Sequence, residues 1–552
     1  MPVIVSSDET RLTVFRGKTA YPVYLTIRNI PKAIRRKPSC RAQVLIGYIP
    51  TTDLGKMTNK TARCHALGNL FHACMENVLA PIAACGELGV AMMSADGIWR
   101  RCHPILAAFV GDYPEQALVT CTYNGRCSKC QVPHDQLGEY RSFSPRVQSD
   151  AINIYRLANN TPVFWKACRE AGLKPVSRPF WASHQFTDIF LSITPDILHQ
   201  LLQGVMKHLV RWLSSPTVFG SADINARCRC LPPNHSITHF ETGITTLSHL
   251  SGKDHKNICR VLLSLIIGLP LPGGQASSHV VRAVRPLLDF LYLSQLLSHT
   301  TDTLRRLQDS LALFHDNKAV FVDLGTRRHF NFPKLHSLLH YVSSIMLFGT
   351  TDNYNTEQTE RLHIDFTKDA YRATNHKDEY KQMTVWLERR EKVQQHAASI
   401  RRQQHEQARA GAAIPQAIGP PQVHHGYLKM AKHPTINSVS FDDLDKMYGA
   451  DHFQDALADF IAHINYPGAS GPALRKHAGN TRIPFRAVPV FYRIKFTAHN
   501  HAKSEVIDAV HVQPERLNSR GQIKRPRFDT VLIRNGQGGM DGSNGKSIHI
   551  NV

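Results

Sequence analysis

The chain has 552 residues, 42% of them hydrophobic, so it is too long for one ordinary domain and apolar enough to bury a sizeable core. Lysine and arginine outnumber aspartate and glutamate by 66 to 43, a formal net charge of +23, which excludes an acidic solvating chain and favours a polyanionic partner such as nucleic acid. The longest apolar stretch, Val261 to Pro270, is too short to span a bilayer, and the 12 cysteines without a secretory leader point to a reducing compartment and free or metal-bound thiols.

Three strands are expected in residues 1–50, and Asp8 directly follows the first, Val3-Ile-Val5. A hairpin-like stretch from Leu12 to Phe15 then leads through the turn signal Gly17-Lys18 into a strand from Tyr21 to Ile27. The next strand runs from Ala42 to Ile49 and stops at Pro50. Leu67, Leu70, Phe71, Met75, Val78, Leu79 and Ile82 carry helical spacing across 59–88, and Ala91 to Trp99 reads as a short turn. His103 to Val110 suits a buried strand that ends in Gly111-Asp112. Strands, a helix and a further strand, with an acid at two strand ends, form an α/β pattern.

From about 145 to 350 the periodicity is helical, clearest at Ile197 to Leu213 and Val280 to Leu297. One long helix is expected from Thr356 past Glu391. Residues 410–426 have the composition of a linker. Beyond it, 427–465 reads as helical, and Arg486 to Val512 alternates as strands do. The last strand candidates run into the C-terminus, as though a β-region were cut short. The implied segments are 1–140 for the first part of a core, 141–335 for a helical insertion, 336–409 for the closing helices, and 427–552 for a helical and then β-rich region.

Acids presented from strand ends on one sheet can converge on Mg²⁺ or Mn²⁺, which prefer hard oxygen ligands and keep positions open for phosphate and water. Two such ions can clamp the attacking and leaving oxygens of a phosphodiester displacement. Asp8 and Asp112 fit that use, with Glu360 or Glu357 as the third carboxylate. Each acid taken singly reads more readily as an end-of-strand cap, and the metal reading rests on the three together. There is no Gly-x-Gly-x-x-Gly, Walker A or Gly-x-Ser-x-Gly element to anchor a nucleotide-binding or serine-hydrolase reading.

Val3-Ile-Val-Ser-Ser-Asp8-Glu-Thr, Phe109-Val-Gly-Asp112-Tyr-Pro-Glu-Gln and Asn355-Thr-Glu-Gln-Thr-Glu360-Arg-Leu-His363 resemble blocks of the Plavaka group of fungal transposases, relatives of the CACTA type. The resemblance implies an RNase H-like mixed sheet interrupted by a large all-α insertion and followed by a small C-terminal β-rich region. It implies a DDE transposase with Asp8, Asp112 and Glu360 as catalytic acids, acting on double-stranded DNA at transposon ends and targets. A nuclear location, no membrane partner and a homodimer go with that reading. The chain opens almost on Asp8, where longer relatives carry further sequence, so the alternative is an inactive, truncated or domesticated DNA-binding derivative. Arg361 and Lys368, on the same helix as Glu360, are candidate phosphate contacts.

Two close pairs complete the inventory. Cys127-Ser-Lys-Cys130 has zinc-knuckle spacing, and His336-Ser-Leu-Leu-His340 sets two imidazoles on one helix face. Together they make a Cys₂His₂ set for structural Zn²⁺, or else ordinary thiols and helix histidines. The order of acid, CxxC, insertion, HxxxH and acid resembles the catalytic region of the V(D)J recombinase and the Transib transposases, and that order favours Glu360 over Glu357. Asp196-Ile-Leu-His199 resembles a short element of related transposases, and its expected role is capping or hydrogen bonding.

Overall fold

Residue 3 to residue 7 is the most deeply buried run near the N-terminus, and the sheet is built around it. A strand covered on both faces needs apolar side chains in both registers, and Val3, Ile4 and Val5 supply them. In the computed structural model, β1 (Pro2–Ser7) pairs antiparallel with β3 (Thr19–Ile27) and parallel with β7 (Ile105–Val110). The short β2 (Thr10–Arg11) pairs with the start of β3, and β4 (Val44–Ile49) pairs antiparallel along the other side of β3. The order is therefore β4-β3-β1-β7, extended by a parallel bridge from Phe109 to Ile193. The fold is mixed α/β. The structure describes residues 1–13, 17–52, 54–94, 96–232, 237–248, 250–410, 427–430, 434–499, 505–517, 521, 523–524, 526–528, 530–535 and 546–551.

A parallel pair needs a crossover, and α1 (Lys60–Leu88) provides it. The Asn59 side chain accepts from the amide of Ala62 at the start of α1, and Gly89 at φ 73° ends it. Phe71, Met75 and Leu79 recur at i, i+4 and pack with Val3, Val5, Val23 and Leu106. The opposite face of the sheet, carrying Ile4, Ala108 and Val110, packs with Tyr354. Between α1 and β7, β5 (Val90–Met93) and β6 (Trp99–Cys102) form a hairpin where a turn was expected. Its Met93 and Trp99 are exposed, so no buried face gave the segment a readable alternation.

After β7, the helix α2 (Tyr113–Val119) starts at once. The helical region has its own core. A π-helical stretch Ile197–Met206, continuing as Lys207–Leu213, packs with α3 (Gly252–Ile266), α4 (Ser278–Ser294) and α5 (Thr301–Asn317) through Leu201, Leu209, Leu262, Leu287 and Phe314.

The single long helix expected from Thr356 past Glu391 is divided. First come α6 (Thr356–His363), a π turn Ile364–Lys368 and a helical turn Asp369–Arg372. His376 and Asp378 then take left-handed φ values of 63° and 47° before α7 (Glu379–Ala410). The side chain of Asn375 accepts from the amide of Lys377 and from Gln382, a local polar alternative to continued helix. No described helix is long and apolar enough to cross a membrane.

Met1–Leu231 and Phe240–Gly411 make one compact unit, and Pro232–His239 with Ala412–Val552 make a second. In the second unit, Ile436–Ser440 pairs with Ala487–Val490, and helices Phe441–Tyr448 and Phe453–Asn465 follow the first of these strands. Val439, Phe441 and Leu444 form its core. Strands Tyr427–Met430, Arg493–His499, Glu505–Gln513 and Arg527–Phe528 form a sheet. The expectation of helix throughout 427–465 is thus corrected: two strands, Tyr427–Met430 and Ile436–Ser440, precede the helices. The expected linker falls almost wholly at 411–426, outside the described residues.

Candidate active site

Parallel pairing of β1 with β7 sets the position of two acids. Ser6 lies opposite Val110, so Asp8 and Asp112 each stand two residues beyond that last pair, at the same end of adjacent strands. Asp112 also caps α2, its Oδ1 accepting from the amide of Glu115 at 2.9 Å. Gly111 lets α2 begin this close, because a Cβ there would fall 2.7 Å from Glu115 Cγ.

The charge of Asp112 bears on Asp8. Burial, then the charge of Asp112, pushes Asp8 up to about 7, and Glu360 and Asp196 add to the rise while His199 opposes it. Burial also raises Asp112, against the Glu115 amide and His199.

Glu360 approaches from α6. Its Oε1 lies 2.7 Å from His199 Nε2, while His199 Nδ1 lies 2.8 Å from Asp196 Oδ2. Asp196 is 1% exposed and accepts from the amides of Leu198 and His199 and from Thr356 Oγ1, the last at 2.7 Å. Burial alone would lower the pKa of His199; Asp196 and Glu360 outweigh it and raise it to about 10. His199 is therefore an imidazolium, held by Asp196 on one side and holding Glu360 on the other. Glu357 is turned elsewhere, its Oε1 2.6 Å from Lys256 Nζ on α3. Of the two glutamates considered, Glu360 is the one whose charge reaches Asp8.

Arg361 pairs with Asp365 at 3.2 Å and lines a groove beside β4. Lys368 sits half-buried at the end of the π turn, away from that groove, and its charge bears on His363.

Glu115 was not foreseen as a site residue. It is buried and accepts hydrogen bonds from Ser7 Oγ and Tyr21 OH, tying α2 to β1 and β3 beside both acids. Burial pushes it up to about 8, against those two hydrogen bonds, with Asp8 and Asp112 contributing to the rise. The only sign of it was its place in the block Gly111-Asp112-Tyr-Pro-Glu115.

The cysteine and histidine pairs converge. Cys127 Sγ lies 3.2 Å from His340 Nε2, Cys130 Sγ lies 3.1 Å from His336 Nε2, and the four ligand atoms all fall within 4.8 Å of one another. Burial alone would push the Cys127 thiol up, yet Cys130, His340 and His336 bring it well below its ordinary range. The Lys129 amide donates to Cys127 Sγ at 3.3 Å, and Lys129 Nζ reaches the carbonyl of Ile193 at 2.6 Å. The loop is thereby fastened to the segment that bridges β7. His336 and His340 come from the helical turns Pro333–His336 and Ser337–His340, distant in sequence from the cysteines.

Residues 1–213 match the family model described as Plavaka transposase. No curated protein matches the chain. The matched region carries Asp8, Asp112, both cysteines and the Asp196–His199 pair, while Glu360, His336 and His340 lie beyond it. By that match residues 1–213 are similar to the Plavaka transposases.

Proposed function

We propose that the chain is a DDE transposase that cleaves and joins DNA at transposon ends, with Asp8, Asp112 and Glu360 as its divalent-metal ligands. The observation that carries the reading is the parallel register that sets Asp8 and Asp112 at adjacent strand ends, with the charge of Glu360 bearing on Asp8. The order β4-β3-β1-β7 supports an RNase H-like core: three antiparallel strands, then a strand parallel to the first after a helical crossover. The helical region between the CxxC and HxxxH pairs is read as an insertion into that core.

Bound Mg²⁺ or Mn²⁺ would supply charge neutralisation at the attacking and leaving oxygens of a phosphodiester. The chain's own residues supply the rest. Asp112 keeps Oδ2 available while Oδ1 accepts from α2. Ser7 and Tyr21, anchored on Glu115, fix the backbone that presents Asp8. His199 neutralises and aims Glu360. Double-stranded DNA is the substrate, the nucleus follows from the substrate, and a homodimer across paired ends suits the reaction.

The Cys₂His₂ set fits structural Zn²⁺ in ligand type, number and closeness, since tetrahedral zinc takes Cys sulfur at about 2.3 Å and His nitrogen at about 2.0–2.1 Å. Its role would be to staple the two sequence-distant ends of the helical region together.

Nicking of duplex DNA bearing the element's own termini, with Mg²⁺ or Mn²⁺, tests the proposal. Wild-type chain should nick and Asp112→Asn should not. Equal nicking by the variant would remove Asp112 from the site, and no nicking by either would favour the inactive DNA-binding derivative.

A further inference from the structure

On the far side of β3 from Asp8 lies a second feature that the cleavage chemistry does not use. A groove of about 630 Å³ runs along the outer edge of β4, between that strand and the α6–α7 segment. Among the described residues β4 pairs only with β3, so its other edge is open, and Val44 is 50% exposed. The floor is apolar and aromatic, with Ile46, Tyr48, Phe366 and Leu387.

The walls are cationic. Arg36, Lys37 and Arg41 line one side, and Arg361 and Arg390 the other. The acids of the groove are already engaged: Asp365 with Arg361, Glu388 with Lys392, and Glu391 with Gln395. By contrast, Arg36, Lys37 and Arg41 are exposed and make no ion pair or side-chain hydrogen bond among the described residues. Three unpaired cations on one rim, facing two arginines across an aromatic floor, are complementary to a strand that carries phosphates outside and flat bases inside.

We propose that this groove holds an unpaired stretch of DNA strand, its phosphates on Arg36, Lys37, Arg41 and Arg361 and its bases against Tyr48 and Phe366. The inference rests on the transposase reading and adds to it the place where a melted strand lies. Arg361 directly follows Glu360 on α6, so one wall of the groove belongs to the helix that carries the proposed third carboxylate. An acidic polypeptide added to the open β4 edge is the rival occupant, but nothing in the groove explains the aromatic floor in that case.

The test measures binding without chemistry. Full-length chain, without added Mg²⁺ or Mn²⁺, is titrated against a fluorescent ten-nucleotide oligo-dT and against a blunt duplex, over a range of salt. The triple change Arg36→Glu, Lys37→Glu and Arg41→Glu touches only exposed side chains, and circular dichroism checks its fold. Arg282→Glu, Arg285→Glu and Arg305→Glu together, exposed changes on α4 and α5, reverse the same number of charges elsewhere and control for net charge. The expected result is at least a tenfold loss of single-strand affinity with the triple change. Loss of three phosphate contacts should also flatten the slope of log affinity against log salt by about 2, at about 0.7 per contact for single strands. Unchanged single-strand affinity, as expected if an acidic polypeptide is the occupant, overturns the inference, and so does a loss confined to duplex. Failure of the transposase reading shows separately, as absent metal-dependent nicking with binding intact.

Discussion

At His199 two carboxylates and one imidazolium share a few ångströms of half-buried space, and the balance among them decides how Glu360 is presented. Asp196 cannot move, because two backbone amides and Thr356 hold it, so His199 is a fixed cation rather than a free base. Replacing it with glutamine keeps a hydrogen-bond donor and removes the charge. The apparent affinity for Mg²⁺ in nicking should fall roughly 10–100-fold, the usual effect of removing a residue that orients a metal ligand, with zinc content unchanged. Unaltered Mg²⁺ dependence would show that His199 is merely structural.

A second histidine gives a pH signature. His72 is fully buried, donates from Nε2 to the carbonyl of Leu118 at 3.0 Å, and accepts at Nδ1 from the amide of Phe180. Burial lowers it from 6.5 to about 4, outweighing the Leu118 hydrogen bond. The unfolded chain therefore takes up the proton first. The stability tied to neutral His72 is fully present above pH 6.5 and is lost as pH falls toward 4, on the order of 3 kcal/mol across that window. Denaturant unfolding at several pH values, wild type against His72→Gln, reads it: the acid slope should be shallower in the variant, and an identical slope would refute the assignment.

Legibility differed residue by residue. Asp8 and Asp112 could be placed at strand ends because an apolar run precedes each one. The preference for Glu360 over Glu357 came from spacing alone, and the ion pair of Glu357 with Lys256 was beyond any local pattern. The Asp196–His199 spacing suggested a cap, which Asp196 is, but nothing local marks a histidine as reaching a residue as distant in sequence as Glu360. Glu115 is a carboxyl whose burial only the folded sheet creates.

Among the elements, the segment joining α6 to α7 decides the site more than any long helix could. A π turn and two left-handed residues redirect the chain after Glu360, which sets α7 alongside β4 and opens the groove. The break was hard to read because polar residues at 374–378 suit a solvated helix face as well as a turn. The hairpin of β5 and β6 was missed for the opposite reason, since its apolar side chains point outward.

The loop of Cys127 and Cys130 and the turns of His336 and His340 are elements of this scale too. If zinc joins them, exhaustive chelation should release about one zinc per chain and lower the thermal midpoint by roughly 10 °C, the order expected for loss of a tight ligand from a domain of this size. Cys127→Ser should be purified with little zinc. Equal zinc in both proteins, or no change in midpoint on chelation, would leave the cluster a metal-free thiol–imidazole contact.

Across the whole molecule, the charge of +23 sits on a fold whose most buried strand ends in an acid. Under the proposed function that contrast would serve a polyanion-binding surface around a small cation-binding centre. The mixed sheet was legible in outline because its strands are continuous apolar runs, whereas the helical region disclosed its periodicity but not its packing. The C-terminal unit folds around Val439, Phe441 and Leu444, and its strands were partly visible as alternation at 487–512.

The account depends on Asp8, Asp112 and Glu360 serving one metal site. Fe²⁺ substituted for Mg²⁺, with ascorbate and peroxide, cuts a polypeptide backbone close to wherever the ion is held. The account expects cuts near residues 8, 112 and 360 together, all suppressed by excess Mg²⁺ and all lost in Asp112→Asn. Cuts near one of these positions without the other two, or cuts that persist in Asp112→Asn, would contradict it.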